Sequence, residues 1–134
     1  MDKVYTLHEI AYQNLKNKGA KSWHEMYANP EGKEVDHIGF SRKIFIEDAL
    51  EKDYCPKSGN ALEIGTGTGH LINFIKEKGY IPHGIEISST ALELARKQHK
   101  DIDFKQGDYC YDDIYQENFF DLIIDGSCFH CIVD

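Results

Sequence analysis

Long apolar runs are missing from this chain of 134 residues, and a membrane-crossing helix needs roughly 20 such residues. Clusters of Lys and Arg are missing too. With 15 basic and 23 acidic residues the formal net charge is −8, a poor match for nucleic acid or an anionic membrane surface. The opening Met1-Asp2-Lys3-Val4-Tyr5 has no signal-peptide pattern. Cysteine is scarce: Cys55, Cys110, Cys128 and Cys131 read as reduced thiols rather than a disulfide framework. Internal repeats and low-complexity stretches are also absent. The expectation is one soluble, cytoplasmic domain with no nucleic-acid or membrane partner, long enough for a hydrophobic core but small for an α/β enzyme.

Two regions differ in pattern. Residues 1–38 are polar and irregular around a predicted helix from Leu7 to Lys18, whose apolar positions are Leu7, Ile10, Ala11 and Leu15. Asn29-Pro30 and Gly32 signal turns. Residues 39–134 form the second unit. It opens with a predicted helix from Gly39 to Lys52, with Phe40, Ile44, Phe45, Ala49 and Leu50 on its buried side. Strands are then expected at Asn60–Ile64, Ile81–Ile87, Ile102–Gln106 and Phe119–Ile124. Helices are expected at Gly69–Lys78 and from the Ser88 cap to about His99. Strands alternating with helices indicate an α/β fold, a parallel sheet with helices on both faces. Strands buried on both sides read as apolar runs, as these do.

The densest information lies in Leu62-Glu63-Ile64-Gly65-Thr66-Gly67-Thr68-Gly69. Alternating glycines after a strand mark a turn that can take positive φ and admit a ligand close to the backbone. A dinucleotide turn reads Gly-x-Gly-x-x-Gly, and its third glycine falls here on His70. That residue and Glu63 disfavour a nicotinamide-dependent oxidoreductase. An acid ahead of the glycines suits a cationic amine, and the following helix N-terminus suits a carboxylate. S-adenosylmethionine carries both groups.

Three more carboxylates follow at or beyond strand ends: Glu86, Asp108 and Asp125. Glu86 stands about twenty residues past the glycines, where a carboxylate can accept from ribose hydroxyls. Asp108 could accept from an exocyclic adenine amine, with Tyr109 near the ring. Ligands of open α/β sheets bind outside the carboxyl ends of the strands, so all four acids share one rim.

Four stretches in order carry a resemblance: Leu62–Gly69, Gly84-Ile85-Glu86-Ile87-Ser88, Gln106-Gly107-Asp108, and Phe120-Asp121-Leu122-Ile123-Ile124-Asp125. From about Ser41 onward the chain resembles the class I S-adenosylmethionine-dependent methyltransferases. The resemblance implies a Rossmann-like methyltransferase fold with S-adenosylmethionine as cofactor. It places Glu63, Gly65, Thr66, Gly67 and Gly69 at the methionine part. Glu86 falls at the ribose, and Ile87, Asp108 and Tyr109 at the adenine. Asp125 and Gly126 border the methionine and the acceptor pocket. Asp121 reads as structural or solvated.

Methyl transfer from a sulfonium needs alignment and desolvation, sometimes a base, and no metal. His130 is the best-placed imidazole for a base, or simply a residue at a helix start; His37 and His70 are further candidates. Trp23 and Tyr27 belong either to a lid over the site or to packing, and Phe40 to packing. Cys128-Phe129-His130-Cys131 lacks the four well-spaced ligands of a zinc site and reads as core or pocket-lining thiols.

The family's full sheet has the order 3-2-1-4-5-7-6. This chain supplies a truncated sheet of order 3-2-1-4 preceded by N-terminal helices, as a natural half-domain or a fragment of a longer enzyme. An apolar strand on a sheet edge recruits another strand, so a homodimer through strand four is expected. The functional expectation is a methyltransferase for a small-molecule acceptor, or its cofactor-binding half. The alternative is a non-catalytic module that binds S-adenosylmethionine or S-adenosylhomocysteine.

Overall fold

A computed structural model describes residue 17, residues 39–126 and residue 128, with the backbone alone for 39–42. The predicted helix from Leu7 to Lys18 lies outside the described residues except for Asn17. Trp23, Tyr27, His37, His130, Cys131 and the side chain of Phe40 also lie outside them. The described elements are α1 Gly39–Glu51, β1 Asn60–Ile64, α2 His70–Glu77, β2 Ile81–Glu86, α3 Ser89–Gln98, β3 Asp103–Gln106 and β4 Leu122–Asp125.

The four strands form one sheet in the order β3-β2-β1-β4, and every pairing is parallel. This is the expected order. The register sets Ile64 opposite both Ile85 and Asp125, and Glu86 opposite Gln106. The carboxyl ends of all four strands therefore reach one rim. β1 is flanked on both sides, and Ala61 through Ile64 are all buried.

The crossovers from β1 to β2 and from β2 to β3 run in one direction across the sheet, and α2 and α3 share a face, as the usual right-handed connection requires. There Ala61, Phe104 and Ile124 pack with Leu71, Ile72 and Ile75 of α2, Leu92 and Ala95 of α3, and Leu50 of α1. On the other face Leu62, Ile64 and Ile85 pack with Ile114, Tyr115 and Phe120. Helices were expected on both faces. Among the described residues they occupy one, and the second is closed by the β3–β4 connection. Polar residues 116–118 interrupt that connection, and Asn118 has φ +58°, a conformation that stops a helix.

The start of the last strand differs from expectation for a physical reason. β4 begins at Leu122 rather than Phe119, because Phe119 and Phe120 set their rings edge-on against His83, at centroid distances of 5.3 and 5.4 Å. The Asp121 N–H donates to the Asn60 carbonyl at 2.9 Å, and the Asp121 carboxylate accepts from the Asn60 N–H at 2.8 Å. Asp121 thus joins β4 to the start of β1.

The buried side of α1 is corrected more substantially. Ile44 and Phe45 are 68% and 75% exposed, and Ala49 is exposed as well. Leu50 is buried as expected, and with Ile46, one turn away, it makes a narrow stripe on a helix that packs mainly against α2. Glu47 pairs with Lys78 of the α2 end. Lys57 Nζ closes the C-terminal end of α1 by donating to the carbonyls of Leu50 and Lys52 at 2.6 and 2.7 Å.

Candidate functional site

The glycine turn is built as its spacing implies. Gly65, Gly67 and Gly69 all have positive φ, +63°, +56° and +86°, which L side chains adopt at a cost. Space also selects glycine at Gly65, where an added Cβ would stand 2.7 Å from the Cβ of Cys128. The turn is tied to β2 by the Thr66 N–H, which donates to the Ile85 carbonyl at 3.0 Å. It closes on itself through the Gly69 N–H to the Thr66 carbonyl at 2.9 Å.

Two buried carboxylates flank this turn, and each is held by it. Glu86 accepts from the Gly67 N–H with Oε2 and from the Ser88 N–H with Oε1, both at 2.9 Å. Glu63 accepts with Oε2 from the Thr66 hydroxyl at 2.8 Å and from the Ile72 N–H at 3.0 Å. These bonds to charged acceptors are the stronger kind. They fix the ends of β1 and β2 relative to the first turn of α2. Neighbouring residues of one turn, Thr66 and Gly67, thereby orient two acids on adjacent strands.

The remaining predicted residues lie around the same rim with different degrees of engagement. Ile87 and Tyr109 are exposed, and Gln106 Nε2 donates to the Ile87 carbonyl at 3.3 Å. Asp108 accepts from the Cys110 N–H at 2.9 Å, and its own N–H donates to Asp112 at 2.8 Å. It therefore shapes the loop after β3. Asp125 accepts from the Cys128 N–H at 2.5 Å. Gly126 faces Glu63, since a Cβ there would stand 2.5 Å from Oε1. His70 is exposed and meets the His99 ring edge-on at 5.7 Å.

Residues not anticipated from the sequence complete the rim. Gly84, inside β2, leaves room for the Thr66 methyl, which would lie 2.8 Å from a Cβ at that position. A glycine within a strand is itself a sign of close approach. Ser88 was expected to cap α3 and does, accepting from the Ala91 N–H at 3.2 Å; its N–H on Glu86 was not foreseen. Thr68 is buried, and its hydroxyl has no partner among the described residues. The N-cap of α2 is Gly69, which has no side chain to cap the first turn. The described residues hold no group of three or more His, Cys, Asp or Glu arranged to bind a metal. Nor is any described helix long and apolar enough to cross a membrane.

Residues 61–134 match the profile of the methyltransferase-domain family. The chain belongs to that family. This methyltransferase domain is 34% identical over 90 residues to an uncharacterised methyltransferase of Bacillus mycoides, covering 66% of this chain and 40% of that one. A relative in Bacillus cytotoxicus is 32% identical over the same length. The chain therefore spans about two-fifths of the curated relatives it matches. Among solved structures it is similar to a proposed S-adenosyl-L-methionine-dependent methyltransferase from Methanococcus maripaludis. The TM-score is 0.57 at 24% identity, over 69% of this chain and 45% of that one. It is also similar to the glycopeptide N-methyltransferase MtfA complexed with sinefungin, at TM-score 0.51 and 19% identity, over 65% and 36%. At these identities the likeness is one of fold, and it agrees with the 3-2-1-4 sheet.

Proposed function

We propose that this domain carries the S-adenosylmethionine site of a cytoplasmic methyltransferase for a small-molecule acceptor. The observation that carries the reading is the pair of buried carboxylates, Glu63 and Glu86, clamped on either side of a glycine turn at the sheet's carboxyl rim. Sinefungin on a structural neighbour and the family itself support the cofactor class. The free thiols Cys55 and Cys110 are compatible with a reducing compartment.

The residues present fit that cofactor. A carboxylate offers about four acceptor sites, so Glu86 can accept from ribose hydroxyls as well as from the Gly67 and Ser88 N–H groups. Ile87 and Tyr109 present exposed apolar surface for a purine, and Asp108 lies beside them for the exocyclic amine. The Thr68 hydroxyl, without a partner among the described residues, and the first turn of α2 suit a carboxylate. Glu63 with Gly65 and Gly126 takes the amine end, and Asp125 borders the acceptor side. When bound, S-adenosylmethionine supplies an electrophilic methyl group. The domain's own part is to hold the donor in line and exclude water. His130 is the proposed base for an acceptor that must lose a proton.

The net charge of −8 favours a small acceptor over a nucleic acid. The outer edge of β4 pairs with no strand among the described residues, and Ile123 is half exposed there. A second copy pairing with that edge across a two-fold axis is the proposed partner. Calorimetry with S-adenosylmethionine and S-adenosylhomocysteine, followed by turnover against an acceptor panel, tests the function. Binding with turnover supports it in full, and binding without turnover reduces the chain to a binding module. Absence of binding to either ligand refutes it.

A further inference from the structure

We infer that Thr66 is a positioning residue that acts through Glu63 on the amino-acid end of the cofactor alone; this rests on the S-adenosylmethionine reading above. The resemblance places Thr66 among the residues facing the cofactor. Its side chain is turned inward instead, only 4% exposed. All of its groups are engaged inside the fold. The N–H donates to the Ile85 carbonyl at 3.0 Å, and the hydroxyl donates to Glu63 Oε2 at 2.8 Å. The methyl fills the space left by Gly84.

The Glu63 oxygen that Thr66 holds also accepts from the Ile72 N–H at 3.0 Å. Two donors on one oxygen fix the plane of the carboxylate and set Oε1 at Gly126. The neighbouring residue, Gly67, holds Glu86 through its backbone N–H. In the sheet order β3-β2-β1-β4 these acids stand at the carboxyl ends of adjacent strands, Glu86 last in β2 and Glu63 next to last in β1. A nucleoside lying over β3 and β2 therefore meets Glu86, and an amino-acid tail extending over β1 meets Glu63. Removing the Thr66 hydroxyl loosens only the second contact, because the Gly67 bond belongs to the backbone and survives the substitution.

The test compares two ligands by calorimetry: S-adenosylhomocysteine, which has the amino-acid tail, and methylthioadenosine, which lacks it. Thr66→Val keeps the shape and removes the donor. Affinity for S-adenosylhomocysteine is expected to fall about tenfold, the scale of one charge-assisted hydrogen bond, while methylthioadenosine binds within about twofold of wild type. Thr66→Ser is expected to restore the tailed ligand. Equal losses for both ligands, or no loss for either, overturn the inference. If the Val variant does not fold, Thr66→Ala set against Thr66→Ser isolates the same hydroxyl. A wild-type protein that binds neither ligand overturns the cofactor reading itself, a result distinct from a wild type that binds and a Val variant that is unchanged.

Discussion

Replacing Glu86 perturbs more than a ligand contact. Its carboxylate is the shared acceptor for the N–H groups of Gly67 and Ser88, both at 2.9 Å, in a side chain that is buried. A hydrogen bond to a charged partner contributes roughly 1.5–3 kcal/mol net. Two of them set an upper range near 3–6 kcal/mol, and some recovery follows because the turn lies at the rim where water can enter. We expect Glu86→Ala to lower stability by about 2–4 kcal/mol, a fall in Tm on the order of 10 °C for a domain of this size. Glu86→Gln keeps one acceptor but turns its amide NH2 toward the second donor, so it loses about half as much. Thermal unfolding without ligand, with hydrogen exchange at the Gly67 and Ser88 amides, reads the brace directly. Calorimetry on the same variants then reads the ribose contact, where the Ala variant is expected to bind S-adenosylhomocysteine about 10- to 100-fold more weakly. Wild-type Tm together with wild-type exchange at those two amides refutes the brace. An unchanged dissociation constant removes Glu86 from the cofactor site.

Three further outcomes follow from other parts of the fold. Asp121→Ala removes the acceptor for the Asn60 N–H and is expected to cost about 1–2 kcal/mol in urea unfolding; ligand affinity stays unchanged, because this contact sits at the opposite end of β1 from the rim. Burial first, then the charges of His70 and Lys76, hold the His99 imidazole below its ordinary pKa of 6.5. The unfolded chain therefore binds the extra proton first, and stability falls as pH drops from about 6.5 toward the lowered folded value. His99→Phe is expected to flatten that slope in unfolding measured across pH, and parallel slopes for the two proteins would contradict the assignment. Light scattering is expected to show a dimer at micromolar concentration, with Ile123→Lys shifting it toward monomer; a wild-type monomer rules out pairing through β4.

Much of the architecture was legible because it depends on local periodicity. β1 runs from Asn60 to Ile64 as its apolar run implies, and Ser88 caps α3 as its residue type predicts. The three turn glycines have the positive φ that their alternation implies. Ile44 and Phe45 show where such reading stops. A helix of mixed pattern offers several apolar stripes, and which one is buried depends on the neighbour it meets, here α2 with its Lys78 at Glu47. The β3–β4 connection is similar: Ile114, Tyr115 and Phe120 cover a sheet face for which no helix was delimited in the sequence, because the Leu62–Ile64–Ile85 surface rewards apolar contact from any backbone shape.

For the site, the sequence alone determined which residues reach the rim. Strand ends and glycine turns are local features, and a parallel sheet brings its carboxyl ends together whatever the details. Only the tertiary structure decided what those residues do for one another. Glu63 reads along the chain as an acid facing a ligand, and the fold adds that it is a buried acceptor for Thr66 and Ile72. Glu86 also braces Gly67, nineteen residues earlier in the chain. Hydrogen bonds between residues distant in sequence carry no periodic signal, because direction and distance at the donor set them. The glycine turn thus names the place, and the folded geometry divides the roles among Thr66, Gly67 and the two carboxylates.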